Sequence, residues 1–137
     1  INATVLGCRR VGYVTTLTNR RRLIPKINCI AISDRMAGER QAFNTLCQGS
    51  AADIIKQAMI HCESIFSRVK LDEPGFEARI LLQLHDELLI ECKNDYIEET
   101  IEILSNCMLN TKRFCKDMTI PLKIKVNVGN NWGELNS

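Results

Sequence analysis

The stretch Gln83-Leu84-His85-Asp86-Glu87-Leu88-Leu89 decides how this chain is read. Ile80-Leu81-Leu82 runs into it and Leu88-Leu89-Ile90 runs out of it. Residues 77–84 and 88–92 therefore read as two strands joined tightly at Asp86-Glu87. Side chains alternate across a strand, so two adjacent acids cannot both enter a core. Rigid, buried strands are expected to hold these carboxylates at the tip of the hairpin. Carboxylates presented that way suit a divalent cation, which takes oxygen ligands and leaves its other positions to waters and phosphates. A plain polar turn explains the same residues, because Asp favours turns.

Working outward, the pattern from about Asp34 to Arg68 is helical. Ile54, Ile55, Ala58, Met59, Cys62, Ile65 and Phe66 recur at three- and four-residue spacing. Gly49-Ser50 interrupts it and marks a kink or a close backbone approach. On the same helix Arg40, Asn44 and Gln48 fall at i, i+4 and i+8, so they stack along one face. An arginine and two amides in a row can donate to phosphates and to base edges in a minor groove. Taken alone, the three residues are read more readily as an ordinary solvent-facing polar stripe. Before the helix, Val11 to Leu17, the turn signal Thr18-Asn19 and Arg22-Leu23-Ile24 form a short hairpin ending at Pro25, with residues 26–33 as a loop. After the carboxylate turn a helix is expected from Asp95, with Glu98 as its capping-box partner and Ile97, Ile101, Leu104 and Met108 as its apolar stripe. After Thr119, Leu122, Ile124, Val126 and Val128 alternate with Lys123, Lys125 and Asn127, which predicts a strand with one buried face. The fold class that follows is α+β, antiparallel strands backed by helices.

The chain has 137 residues, 45% hydrophobic and 25% charged, as in a soluble globular domain. No apolar run nears the ~20 residues that span a bilayer, so no membrane partner is expected. It starts at Ile1 in patterned sequence, and a longer parent is expected. Six basic residues and no acid occupy residues 1–33, whereas ten of sixteen acids lie in 72–102. A basic segment beside an acidic one suggests a surface that meets phosphate near a site for cations, and two solvated faces remain the alternative. The Arg20-Arg21-Arg22 cluster beside Arg9 and Arg10 carries the same pair of readings. The seven cysteines form no CxxC pair, and several sit on apolar periodic faces, which suits buried free thiols in a reducing compartment. His61 and His85 are the only histidines, too few for a metal-dependent phosphohydrolase.

Taken in order, these segments resemble family A DNA polymerases. Gly12-Tyr13-Val14-Thr15-Thr16-Leu17 with Arg20-Arg21-Arg22 and Pro25 is similar to one stretch of that family. Ala37-Gly38-Glu39-Arg40-Gln41-Ala42-Phe43-Asn44 followed by Gln48-Gly49-Ser50-Ala51-Ala52-Asp53-Ile54-Ile55-Lys56 is similar to another. Gln83 to Leu88 resembles its motif C, and Trp132-Gly133-Glu134-Leu135 resembles the closing residues of the theta and nu branch.

The resemblance implies the C-terminal part of a polymerase palm. Residues 1–33 would be a basic hairpin and loop at the fingers/palm border, and 34–137 a palm segment of long helix, motif C hairpin, helix and final strand. It implies two-metal nucleotidyl transfer to a primer 3′-hydroxyl with Mg²⁺, in DNA repair, translesion or end-joining synthesis. Asp86 and Glu87 would bind metal, with Glu87 the less essential, and His85 would lie near the primer terminus. Arg40, Asn44, Gln48, Gln83, Arg20 and Arg21 would contact DNA. Implied partners are primer–template DNA and deoxynucleoside triphosphates. The implied location is the nucleus, with a mitochondrion or another organelle as alternative. Asn19 stands where many relatives have glycine, which it can replace because it tolerates positive φ. Cys47 is unusual there and is expected to pack. The second metal-binding aspartate belongs to a motif upstream of these residues, so the chain alone is expected not to polymerise. A non-catalytic nucleic-acid-binding module with the same fold is the alternative.

Overall fold

The computed structural model describes residues 2–110 and 121–135. It is of the α+β class, with two small antiparallel sheets among helices. Two compact units, Ile1–Gln57 and Ala58–Ser137, divide inside one long helix.

The first unit opens with α1 (Asn2–Val11), an element the sequence reading did not assign. Arg9 and Arg10 in its last turn complement the negative end of the helix dipole. Gly12, at φ 80, stops it, and its N–H donates to the Cys8 carbonyl at 2.7 Å. The expected hairpin follows as β1 (Tyr13–Thr15) and β2 (Arg21–Leu23), with Tyr13 opposite Leu23 and Thr15 opposite Arg21. Asn19 takes φ 63, the conformation that replacing glycine there requires. Within the expected loop, Pro25–Asn28 is a 3₁₀ turn that buries Ile27. Cys8, Val14, Ile24, Ile27 and Ala42 form the core, with Val5 against it.

The expected helix exists but is longer and broken. It comprises α2 (Ile32–Asn44), a π turn (Thr45–Gly49) and α3 (Ser50–Asp72). The break falls at Gly49-Ser50, the point the sequence marked. Gly38 lets α2 lie on the 3₁₀ turn, because a Cβ there would sit 2.9 Å from both the Ile27 nitrogen and the Lys26 carbonyl carbon.

In the second unit the expected stripe of α3 is real, and Ala58, Cys62 and Phe66 are buried. Phe76 follows the Pro74-Gly75 turn and sits between Phe66 (ring centroids 5.8 Å apart) and Tyr96 (5.3 Å, edge to face). β3 (Ala78–Leu84) pairs antiparallel with β4 (Glu87–Cys92). A 3₁₀ turn, Asn94–Tyr96, leads into α4 (Ile97–Leu109). The capping box at Asp95 is not formed: the residue before α4 is Tyr96, and it makes no side-chain cap. On α4 only Thr100 and Cys107 are fully buried; Ile103 and Leu104 pack half-buried against the core, and the expected Ile97, Ile101 and Met108 are half-buried as well.

The final strand predicted for 122–128 is not present. Alternation creates a strand only where another backbone completes its ladder, and among the described residues none pairs with it. Leu122 and Ile124 are half-buried, but Val126 and Val128 are exposed. The chain closes in a 3₁₀ turn, Trp132–Glu134. The Glu134 carboxylate accepts from the Asn130 N–H at 2.8 Å and from the Asn130 and Asn131 amides, which holds its pKa down.

Cys8, Cys62 and Cys107 are buried free thiols, and burial pushes Cys8 and Cys62 up. Cys47, expected to pack, is exposed on the π turn. Cys115 and Thr119 lie outside the described residues. No helix among those described is long and apolar enough to cross a membrane.

The close approach at Gly38 makes a stability prediction. Gly38→Ala lowers unfolding stability by about 1–3 kcal/mol, as overpacking does, read as a lower urea midpoint at unchanged m. An unchanged midpoint would mean the backbone gives way freely.

Candidate functional site

The β3–β4 hairpin closes in a two-residue loop of His85 and Asp86, with Leu84 paired to Glu87. The sequence reading put the junction one residue late. Asp86 is in the loop, and Glu87 is the first residue of β4. His85 adopts φ 53, a left-handed conformation that non-glycine residues visit mainly as single turn positions. The Gln83 side-chain amide donates to the His85 carbonyl at 2.8 Å and so braces that conformation. His85, Asp86 and Glu87 are all exposed, and neither carboxylate bonds to another described residue. Among the described residues no three or more His, Cys, Asp or Glu side chains gather as a metal site.

The strands that hold this tip are not buried as expected. A bulge between Ile80 and Leu82 places Leu81 outside the ladder, and Leu81, Leu82 and Leu84 are 50%, 39% and 38% exposed. Met59, Ile60, Ile80, Leu81 and Leu82 line a shallow apolar groove that ends at Gln83. The strand ladder and the packing of Ala78 and Ile80 on the core hold the hairpin, with the exposed Arg79–Glu91 ion pair spanning the two strands.

The donor face belongs to the first unit. Arg40 and Asn44 are on α2 and Gln48 is on the π turn. All three are exposed, and their side chains bond to no other described residue. Arg21 is also exposed, with its guanidinium 4.9 Å from the centre of the Tyr13 ring. Arg20 is engaged. Its Nε donates to Asp53 Oδ1 at 2.7 Å and its Nη2 to the Gly49 carbonyl at 3.2 Å. The structure thus separates the candidate residues, with Arg20, Arg21, Arg40, Asn44 and Gln48 in one unit and Gln83, His85, Asp86 and Glu87 in the other.

Sequence reasoning missed Asp53, which is 8% exposed. Thr18 donates to its Oδ2 at 2.7 Å while Arg20 occupies Oδ1. Burial pushes this carboxyl up, but hydrogen bonds from Thr16, Thr18 and Arg20 and the guanidinium charge outweigh burial and hold it below its ordinary 3.8. One signal was present: an acid beside the apolar stripe of a helix needs a cation, and the preceding acid-free segment supplies three arginines together.

Comparison with known proteins agrees along the chain. The model of DNA polymerase family A matches residues 1–134. DNA polymerase I of Bacillus subtilis is 41% identical over 129 residues, 94% of this chain and 14% of that protein. The thermostable DNA polymerase I of Thermus thermophilus is 40% identical over 132 residues, 96% of this chain and 15% of that protein. A solved structure, the POL domain of Pol1 from M. smegmatis in complex with DNA primer-template and dNTP, superposes with a TM-score of 0.86 at 35% identity. It covers 98% of this chain and 22% of its own. The chain therefore spans about a seventh of the curated relatives it matches.

The lowered pKa of Asp53 carries a pH signature. The folded state favours its carboxylate, so its contribution to stability is present above the ordinary 3.8 and is lost as the pH falls through the lowered value. Asp53→Asn costs about 1.5–3 kcal/mol at pH 7, the range for hydrogen bonds to a charged group. Urea unfolding should show that cost shrinking towards pH 2. An equal cost at both pH values would refute the charged pair.

Proposed function

The chain belongs to DNA polymerase family A, and on that premise we propose that it is the C-terminal palm portion of a template-directed DNA polymerase. The observation that carries this reading is the exposed, unpaired Asp86 in a braced two-residue turn of a chain matched to that family over residues 1–134. In this reading the turn is motif C. Asp86 is one of two metal-binding aspartates, Glu87 its less essential neighbour, and His85 lies near the primer terminus.

Mg²⁺ fits the donors in part. It takes one or two carboxylates beside waters and substrate phosphates, and Asp86 and Glu87 have no internal partner among the described residues to surrender. When bound, the metal lowers the pKa of the attacking hydroxyl and neutralises charge on the triphosphate. The residues of this chain supply position. The Gln83 amide fixes the His85 carbonyl, and so fixes where Asp86 is presented. Arg40, Asn44 and Gln48 donate to the minor groove of the primer–template, and Arg21 adds positive charge. The second aspartate comes from outside these residues, so the isolated chain holds half a metal site and does not polymerise.

The substrates are primer–template DNA and deoxynucleoside triphosphates, the molecules named for the solved relative. The closing residues Trp132 to Leu135 favour the theta and nu branch, and with it synthesis in DNA repair and a nuclear location. A mitochondrial or other organellar polymerase is the alternative location. A second reading, a duplex-binding module without catalysis, draws on the exposed donors Arg40, Asn44 and Gln48.

Asp86→Ala in the full-length parent separates the two readings. Primer extension falls by more than about 10²-fold, the order expected when a preorganised electrostatic group is lost, while duplex affinity changes less than about twofold. Unchanged extension would contradict the catalytic reading. The isolated 137-residue chain incubated with primer–template, triphosphates and Mg²⁺ yields no extended product, and robust synthesis by it would overturn the half-site.

A further inference from the structure

The π turn and Ser50 after it meet the basic hairpin through three hydrogen bonds. In an α-helix each residue turns about 100°, so a residue eight positions on overshoots two turns by about 80°. On an unbroken helix Gln48 would accordingly drift about 80° from Arg40, off the shared line that the spacing alone suggests. A π turn bonds each N–H one residue further back, so more residues share the turn and each rotates less. The π turn Thr45–Gly49 begins after Asn44 and contains Gln48, and its smaller rotation per residue acts against that drift.

Such a turn disturbs the helical ladder, and partners outside the helix compensate here. The Ser50 N–H goes to the Cys47 carbonyl, and the Ser50 hydroxyl donates to the Leu46 carbonyl. The Leu17 N–H of the hairpin donates to that same hydroxyl at 3.0 Å. Arg20 Nη2 donates to the Gly49 carbonyl at 3.2 Å. Arg22 Nη1 donates to Thr45 Oγ1 at 3.1 Å, and Thr45 Oγ1 donates back to the Gln41 carbonyl at 2.7 Å. Gly49 permits the approach, since a Cβ there would press on the Thr16 methyl at 3.0 Å.

We propose that Arg22 and Thr45 are positioning residues that stabilise the π turn and thereby hold Gln48 in line with Arg40 and Asn44 for the minor groove of the duplex. The idea rests on the groove-contact reading given above. It assigns part of the arginine cluster to geometry rather than to phosphate contact.

A double-mutant cycle in the full-length polymerase tests it, with primer–template affinity as the readout. Gln48→Ala weakens binding about tenfold, within the range for loss of a base-edge contact. Arg22→Met weakens it about fivefold in the native background and less than about twofold when Gln48 is already Ala. Thr45→Val, which can neither accept from Arg22 nor bond back to Gln41, shows the same dependence on Gln48. Thr45→Ser keeps the hydroxyl and restores affinity, which a merely steric role for Thr45 would not explain. Additive losses from Arg22→Met and Gln48→Ala would show direct phosphate contact and overturn the proposal. Arg22→Met with unchanged affinity would overturn it as well. Gln48→Ala with unchanged affinity would instead remove the groove reading, and this proposal with it.

Discussion

A carboxylate taken out of water must be met by donors, and Asp53 sets that demand at the start of α3. Thr18 and Arg20 meet it from the hairpin loop, which fixes the hairpin against the helix. Once the hairpin is seated, the Leu17 N–H, the free arm of the Arg20 guanidinium and Arg22 lie where the π turn has disturbed its own ladder. One buried charge thereby organises a basic loop, a helix start and an irregular turn. The exposed triad of Arg40, Asn44 and Gln48 lies along that ordered run of helix.

The carboxylate turn in the second unit is built on a different principle. The Phe66–Phe76–Tyr96 cluster, with Cys62 and Cys107, gives that unit its core, and the β3–β4 hairpin extends from it with little burial of its own. The bulge at Leu81 and the left-handed His85 shape the tip, and the Gln83 amide holds it. Among the described residues Asp86 has no hydrogen-bond or ion-pair partner, which leaves its carboxylate open to the cation proposed for it.

Much of this was legible in the residues, and for stated reasons. The stripe through Ala58, Cys62 and Phe66 is periodic enough to predict its own burial, and the break at Gly49-Ser50 announced itself. The hairpins were bounded by turn residues that leave few alternatives. The strand at 122–128 was misread because alternation reports one face of a strand and says nothing about its partner. The capping box at Asp95 was misread because a 3₁₀ turn takes up those residues before the helix starts. Asp53 was invisible as a pair because its partner Arg20 is 33 residues away. Cys47 was expected to pack, but the π turn rotates it into solvent.

The central claim is that Asp86 supplies half of a divalent-metal site in a complete polymerase. Iron-directed cleavage tests it most directly. Fe²⁺ is substituted for Mg²⁺ in the full-length protein with primer–template and a nonhydrolysable triphosphate, and a peroxide-driven radical cuts the backbone nearest the metal. The account predicts scission within the His85–Glu87 turn, lost when Asp86 is replaced by Ala. Cleavage elsewhere in the protein with none at this turn would contradict it.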